Sequence, residues 1–385
     1  MLSALSLGSM GVIGVSSVAS AGPTHSAPLV ASQILLGSSL SHTFTPLGAA
    51  APVSEPLSNI DDLTRLDDNL FVVFQNGVGS MGEASTSKNL DGTVVEFTTS
   101  GHVLGQWDVP GRTDGMVADP QLNGVIVTVN EDGNSSLYVI QPSGPSAGQI
   151  THYNYAQPLA HGGGTDSIAI VHDQILISAS APGTMALPAP NATFPAVYAA
   201  QLNASTMTVA LSPLFFGEDV ASVANVGPTY GTPTNLALTD PDSSTVVPKS
   251  YERFAGEYEV TSQGDQQQIF VRDAGSWHQS LTVLTLAQSV DDTAFATDHD
   301  GLLYSTDAAN NSVDSLSGWL STWYPYTVAT PCSANSAPTP CTAPNYLANI
   351  NLWTGSVSAV TVSGAPYTPK GALIFVGDEE GEGLR

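Results

Sequence analysis

Val290-Asp291-Asp292-Thr293-Ala294-Phe295 runs into Asp300-Gly301-Leu302-Leu303-Tyr304, and Thr113-Asp114-Gly115-Met116-Val117-Ala118 runs into Asn123-Gly124-Val125-Ile126-Val127. Each stretch is an Asp-led apolar strand followed by a turn whose Gly lies ten residues after the Asp, at Gly301 and Gly124. A second turn follows, Asn310-Asn311-Ser312-Val313 in one and Asn134-Ser135-Ser136-Leu137 in the other. Weaker copies are Ile60-Asp61-Asp62-Leu63 before Asp68-Asn69-Leu70-Phe71, and Thr165-Asp166-Ser167-Ile168 before Asp173-Gln174-Ile175-Leu176. Thr234-Asn235-Leu236-Ala237-Leu238 and Pro369-Lys370-Gly371-Ala372-Leu373 read as a fifth and a sixth copy that have lost the Asp. Self-similarity at about 40–50 residues is the mark of propellers and solenoids. Six starts predict an all-β, six-bladed β-propeller.

Between starts there is room for four short strands, as in Gly92-Thr93-Val94-Val95-Glu96-Phe97, turned at Ser100-Gly101 into His102-Val103-Leu104-Gly105-Gln106-Trp107. No stretch carries a sustained helical period with caps at both ends, so helix is expected to be minor. The propeller is expected over residues 55–376, followed by an acidic tail, 377–385. Little chain follows the sixth start, so the ring is expected to close by pairing N- and C-terminal segments. The candidate closing strand is His42-Thr43-Phe44-Thr45-Pro46, within a linker-like stretch 23–54.

Residues 1–22 are small and apolar and end in Ala19-Ser20-Ala21, as in a secretory signal, although the first Lys or Arg is Arg65. Their Gly and Ser content argues against a stable membrane span. Cys332 and Cys341 bracket a Pro/Ser/Ala-rich loop, a step short and flexible enough for a disulfide, and such bonds belong to exported proteins. A secreted or cell-envelope monomer is the expectation.

The chain has 8 Lys plus Arg against 34 Asp plus Glu, a net charge of −26, yet only 11% of its residues are charged. Its acidity comes from missing bases. That excludes the basic footprint of a nucleic-acid binder and leaves cations, glycans, peptides or envelope components as partners.

Propellers carry chemistry where inner strands begin, so Asp62, Asp114, Asp166 and Asp291 are candidates to converge at one mouth of the axis. Crowded carboxylates raise one another's pKa or take a hard cation such as calcium, and Asp114, Asp166 and Asp291 are the candidate metal ligands. The alternative is structural: an Asp at a strand start caps turn amides. His161, in His161-Gly162-Gly163-Gly164-Thr165-Asp166, is the candidate general base, with a flexible loop as the alternative. Glu131 and Gln263 lie in polar clusters at strand ends and are candidate ligand contacts. Trp107, Trp277, Trp319, Trp323 and Trp353 read first as blade-packing or surface aromatics, with Trp319-Leu320-Ser321-Thr322-Trp323-Tyr324-Pro325-Tyr326 as an aromatic face for sugar rings the alternative. No serine elbow, phosphate loop or zinc-protease motif occurs.

The Asp-led strands, the Asp-Gly turns and the phrase Asp300-Gly301-Leu302-Leu303-Tyr304-Ser305-Thr306-Asp307 before Asn310-Asn311-Ser312-Val313 resemble six-bladed propellers of the NHL-repeat and gluconolactonase/regucalcin-like (TolB-like) superfamily. The resemblance implies an axial site. In the superfamily's lactonases Glu, Asn and Asp hold a divalent ion there; its streptogramin-lyase relatives use His and Glu with magnesium. Two functions follow as expectations: an exported scaffold that binds a ligand or partner, or a metal-dependent hydrolase or lyase of lactonase type.

Overall fold

The structure is a computed structural model that describes residues 27–160, 162–180, 194–364 and 366–377. His161, the signal-like segment 1–22 and the acidic tail from Asp378 onward lie outside the described residues. Those described form a β-propeller of antiparallel sheets, with two short 3-10 turns as the helical content. None of their helices is long and apolar enough to cross a membrane.

The first sheet is Ile60–Leu66, Asn69–Phe74, Asp91–Thr98 and Val103–Pro110, in that order from the axis outward. Its second strand, NLFVVF, is apolar on both faces because each face packs on a neighbouring sheet. The same plan gives a second sheet (Thr113–Asp119, Gly124–Val129, Ser136–Gln141, Gln149–Tyr155) and a third (Gly164–Val171, Gln174–Ser180, Pro195–Asn203, Thr208–Phe216). These two are fused at their outer edges by a parallel pairing of Asn154 with Thr208 and Tyr155 with Val209. The fourth runs Pro241–Val246, Tyr258–Ser262, Gln267–Arg272, Ser280–Thr285, with Val220–Val223 and Pro233–Asn235 added outside. Thr234-Asn235 is therefore an outer edge and not an inner start; the inner strand begins one turn later, at Pro241.

The fifth sheet is Val290–Ala294, Tyr326–Ala329, Tyr346–Ile350 and Val357–Ala359. Leu302–Asp307 and Ser312–Ser317, which the sequence joins to Val290-Asp291 as one unit, leave for the next sheet. There Leu302–Asp307 pairs with Pro369–Val376, Ser312–Ser317 pairs with Leu29–Leu36, and Val362–Gly364 adds in parallel at the edge. The N-terminal strand in this sheet is thus Leu29–Leu36. His42 and Phe44 instead belong to Ser41–Phe44, which forms a separate hairpin with Val53–Pro56.

Inner strands touch in a closed circuit: Ile60–Leu66, Thr113–Asp119, Gly164–Val171, Pro241–Val246, Val290–Ala294, Pro369–Val376 and back to Ile60–Leu66. The core is distributed around that circuit. Leu66, Phe71 and Val73 pack on Met116, Val125 and Val127 across one sheet boundary, and Leu35, Tyr304 and Ala372 pack on Leu63, Val72 and Phe74 across another.

Candidate functional site

Every inner strand is interrupted at the same place. Pairing jumps between Ile60 and Leu63, Thr113 and Met116, Thr165 and Ile168, Pro241 and Ser243, Val290 and Thr293, and again near Lys370 where the partner strand goes from Ser305 to Asp307. Such a bulge adds a residue to one strand and re-aims its side chain. Here it sets Asp61, Asp114, Asp166, Asp242 and Asp291 at equivalent positions on five strands and Lys370 on the sixth. These residues, with Asp62, Asp292, Arg112 and Glu131, line an axial cavity of about 80 Å³.

Eight carboxyls therefore share one small space with two cations. Lys370 Nζ lies 3.0 Å from Asp61 Oδ1, and Arg112 pairs with Glu131. Gln75 Nε2 donates to Asp61 and, at 3.4 Å, to Asp114 Oδ1. Asp114 also meets Glu131 and Asp166, and Asp242 meets both Asp166 and Asp291. A carboxyl–carboxyl hydrogen bond needs a proton. Consistently, burial and then neighbouring carboxylates hold Asp114 and Asp166 well above the usual range. The same causes act on Asp242 and Asp292. Burial also raises Asp291, opposed by Lys370, and lifts Asp240, just outside the ring, to about 6. The cluster must hold either protons or a cation.

The two carboxyls of Ile60-Asp61-Asp62 divide the work. Asp61 faces the ring, while Asp62 accepts the amides of Leu63, at 2.6 Å, and of Met116 on the next inner strand; burial lifts it to about 8. Asp292 accepts the Leu373 amide at 3.2 Å in the same way. These are stitches between neighbouring sheets, the structural role that an Asp at a strand start can take.

Asp114, Asp166 and Asp291 line the same cavity, and Glu131 joins them from the turn after Gly124–Val129; Asp291 stands outside the group whose ligand atoms come close enough to share one ion. Gln263 is not among the cavity-lining residues; it sits in the turn after Tyr258–Ser262, where its carbonyl accepts Ser289 Oγ at 2.8 Å. Asp61, Asp242, Arg112 and Lys370 were missed. Asp242 had a usable signal: it precedes Asp291 by about one repeat, but the polar Ser243-Ser244-Thr245 after it hides the strand. At Lys370 the ring position carries the opposite charge, so a search for Asp passes over it.

Ligand atoms of Asp114, Glu131 and Asp166 all lie within 4.8 Å of one another. Asp114 is 6% exposed, lines the cavity, and its Oδ2 receives no N–H or hydroxyl donor among the described residues. A second chamber of about 280 Å³ shares Asp62, Ser167 and Asp292 with the first and is walled by Met116, Val117, Ile168, Val246 and Ile374. Cys332 and Cys341 form a disulfide with Cα atoms 5.4 Å apart. Their loop reaches the fourth sheet, where Asn335 bonds Asp265 and Thr239.

No family model matches the chain, and no curated protein does. Among solved structures it is similar to a periplasmic gluconolactonase of Pseudomonas aeruginosa, at 12% identity over 91% of this chain and 99% of that one, with a TM-score of 0.45. It is also similar to a protein of Lactobacillus plantarum, at 11% identity over 91% and 99%, TM-score 0.42. A third is the β-propeller domain of the trilobed protease of Pyrococcus furiosus, at 9% identity over 79% and 85%, TM-score 0.33. The likeness is one of fold.

Proposed function

We propose that this chain is an exported six-bladed propeller that binds a hard divalent cation, of the calcium class, among the carboxylates on its axis, and that the loaded ring serves as a ligand-binding scaffold. The observation that carries this reading is Asp114 Oδ2, a buried acceptor that receives no N–H or hydroxyl donor among the described residues and has only the carboxyls of Glu131 and Asp166 beside it. An unpaired carboxylate oxygen in such a place is costly unless a proton or an ion satisfies it. Calcium takes six to eight oxygens, and Asp114, Glu131, Asp166 and Asp242 are the residues that would supply them. A cavity of about 80 Å³ suits an ion with a water or two, and falls well short of the several hundred Å³ of an organic-ligand pocket. The closed circuit of inner strands supports the count of six blades, and the Cys332–Cys341 disulfide supports export.

A metal-dependent hydrolase or lyase of lactonase type is the second reading. The larger chamber beside the ion cavity favours it, being close to the size of a small-molecule site.

Calcium titration of the metal-stripped protein by calorimetry tests the proposal. One-site binding is expected, lost or weakened at least about tenfold, near 1.4 kcal/mol, in Asp114→Asn and in Asp166→Asn. Absence of binding by wild-type protein that retains its melting transition would overturn it.

A further inference from the structure

Four of the five tryptophans are exposed: Trp277 at 89%, Trp323 at 70%, Trp319 at 57% and Trp353 at 43%. Indoles in a monomer are ordinarily mostly buried. Two of these four stand on one turn, residues 318–324, and that turn is built to hold them. Leu320 is fully buried and anchors it. The Leu320 amide donates to the His299 carbonyl at 3.0 Å, and His299 Nδ1 lies 2.6 Å from the Leu320 carbonyl, so the turn is tied to the loop after Val290–Ala294. The His299 ring stacks on Trp319 at 4.1 Å and 12° between planes. Ser321 Oγ accepts the amides of Trp323 and Tyr324, and the Ser321 amide donates to the Tyr326 hydroxyl at 2.8 Å.

We propose that residues 318–324 are a binding platform for an uncharged carbohydrate, packed on the exposed indoles of Trp319 and Trp323. A pyranose ring has a face of C–H bonds that suits the electron-rich face of an indole. His299 backs the Trp319 ring and the Ser321 bonds hold the backbone at Trp323 before the ligand arrives, which lowers the ordering cost of binding. Charge selects the class. No Lys or Arg occurs between Arg272 and Lys370, so the segment that carries the platform offers no cation to a phosphate, sulfate or uronate, and Arg253, which reaches Leu352 from another loop, is committed to the Leu352 and Ala224 carbonyls. The loop that carries His299 also carries Asp300 and Asp298, carboxylates able to accept sugar hydroxyls, although Asp298 Oδ1 already takes the Asp300 and Gly301 amides.

The test is tryptophan fluorescence and calorimetric titration of the full chain with cellohexaose, xylohexaose and mannohexaose, with oligogalacturonate as the charged control. At least one neutral hexasaccharide is expected to bind, with affinity falling about tenfold or more in Trp319→Ala and in Trp323→Ala. Trp277→Ala, on a different turn, should change nothing, and all three variants should melt as wild type because the replaced rings are exposed. Binding to none of the neutral sugars, equal binding of oligogalacturonate, or full affinity in both platform variants would overturn the proposal. So would a sedimentation-detected dimer that Trp319→Ala dissociates, since the indoles would then belong to a self-interface.

Discussion

A methyl group on Gly164 would sit 1.9 Å from the carbonyl oxygen of Glu131, and backbone cannot yield as a flexible side chain can. Gly164→Ala should therefore cost about 1–3 kcal/mol in urea unfolding and weaken cation binding by pushing Glu131 out of place. The string Gly162-Gly163-Gly164 is legible in the sequence as a place of close backbone approach. What it approaches is not, because Glu131 arrives from a turn in the neighbouring sheet. Arg253 shows the same limit. Its guanidinium donates to the carbonyls of Leu352 and Ala224 and lies 4.6 Å from the rings of Phe254 and Trp353, joining the fourth sheet to the fifth. Lysine offers one compact ammonium in place of a planar fork. Arg253→Lys should lose about 1–3 kcal/mol by the same measurement.

Single strands were the most legible scale. Alternation and Gly-bearing turns locate Asn69–Phe74, Asp91–Thr98, Val103–Pro110 and Gly124–Val129 closely, since each pattern is local. Partner choice is not local, which is why Leu302–Asp307 could be recognised as a strand and still be joined to the wrong sheet. Its pairing with Ser312–Ser317 also creates a contact with a pH signature. Asp307 is fully buried and satisfied by the amides of Ala309, Asn310 and Thr368 and by the Asn310 side chain. Asp314, 2% exposed, lies against it with Oδ1 unpartnered, and burial followed by Asp307 lifts its pKa to about 7. Its pKa in the unfolded chain is near 3.9, so the folded state holds the extra proton between these values. This contribution to stability is complete below pH 4 and is lost as pH rises through 7. Asp314→Asn should accordingly raise stability by about 1–3 kcal/mol at pH 8 and change little at pH 4, as chemical unfolding at the two pH values will show.

Across the whole molecule, the repeat period made the architecture legible and left its closure obscure, because closure depends on which distant segments meet. Leu29–Leu36 inserts Leu29, Ala31 and Leu35 into two apolar clusters, yet its eight residues, LVASQILL, carry no turn or charge signal that marks them as part of the ring. A chain lacking residues 1–36 should lose cooperative thermal unfolding in calorimetry, since both neighbouring clusters are opened at once. The last sheet draws on Leu29–Leu36, Leu302–Asp307, Ser312–Ser317, Val362–Gly364 and Pro369–Val376, so it joins the first and the last of the described strands to be synthesised. Order of assembly follows from that geography. The other sheets can nucleate from neighbouring hairpins as the chain emerges, whereas this one must await the final strand and bear the longest loop-closure delay. Until Pro369–Val376 arrives, the nascent protein is an open arc with unprotected edges, and the time spent in that state sets its exposure to misfolding.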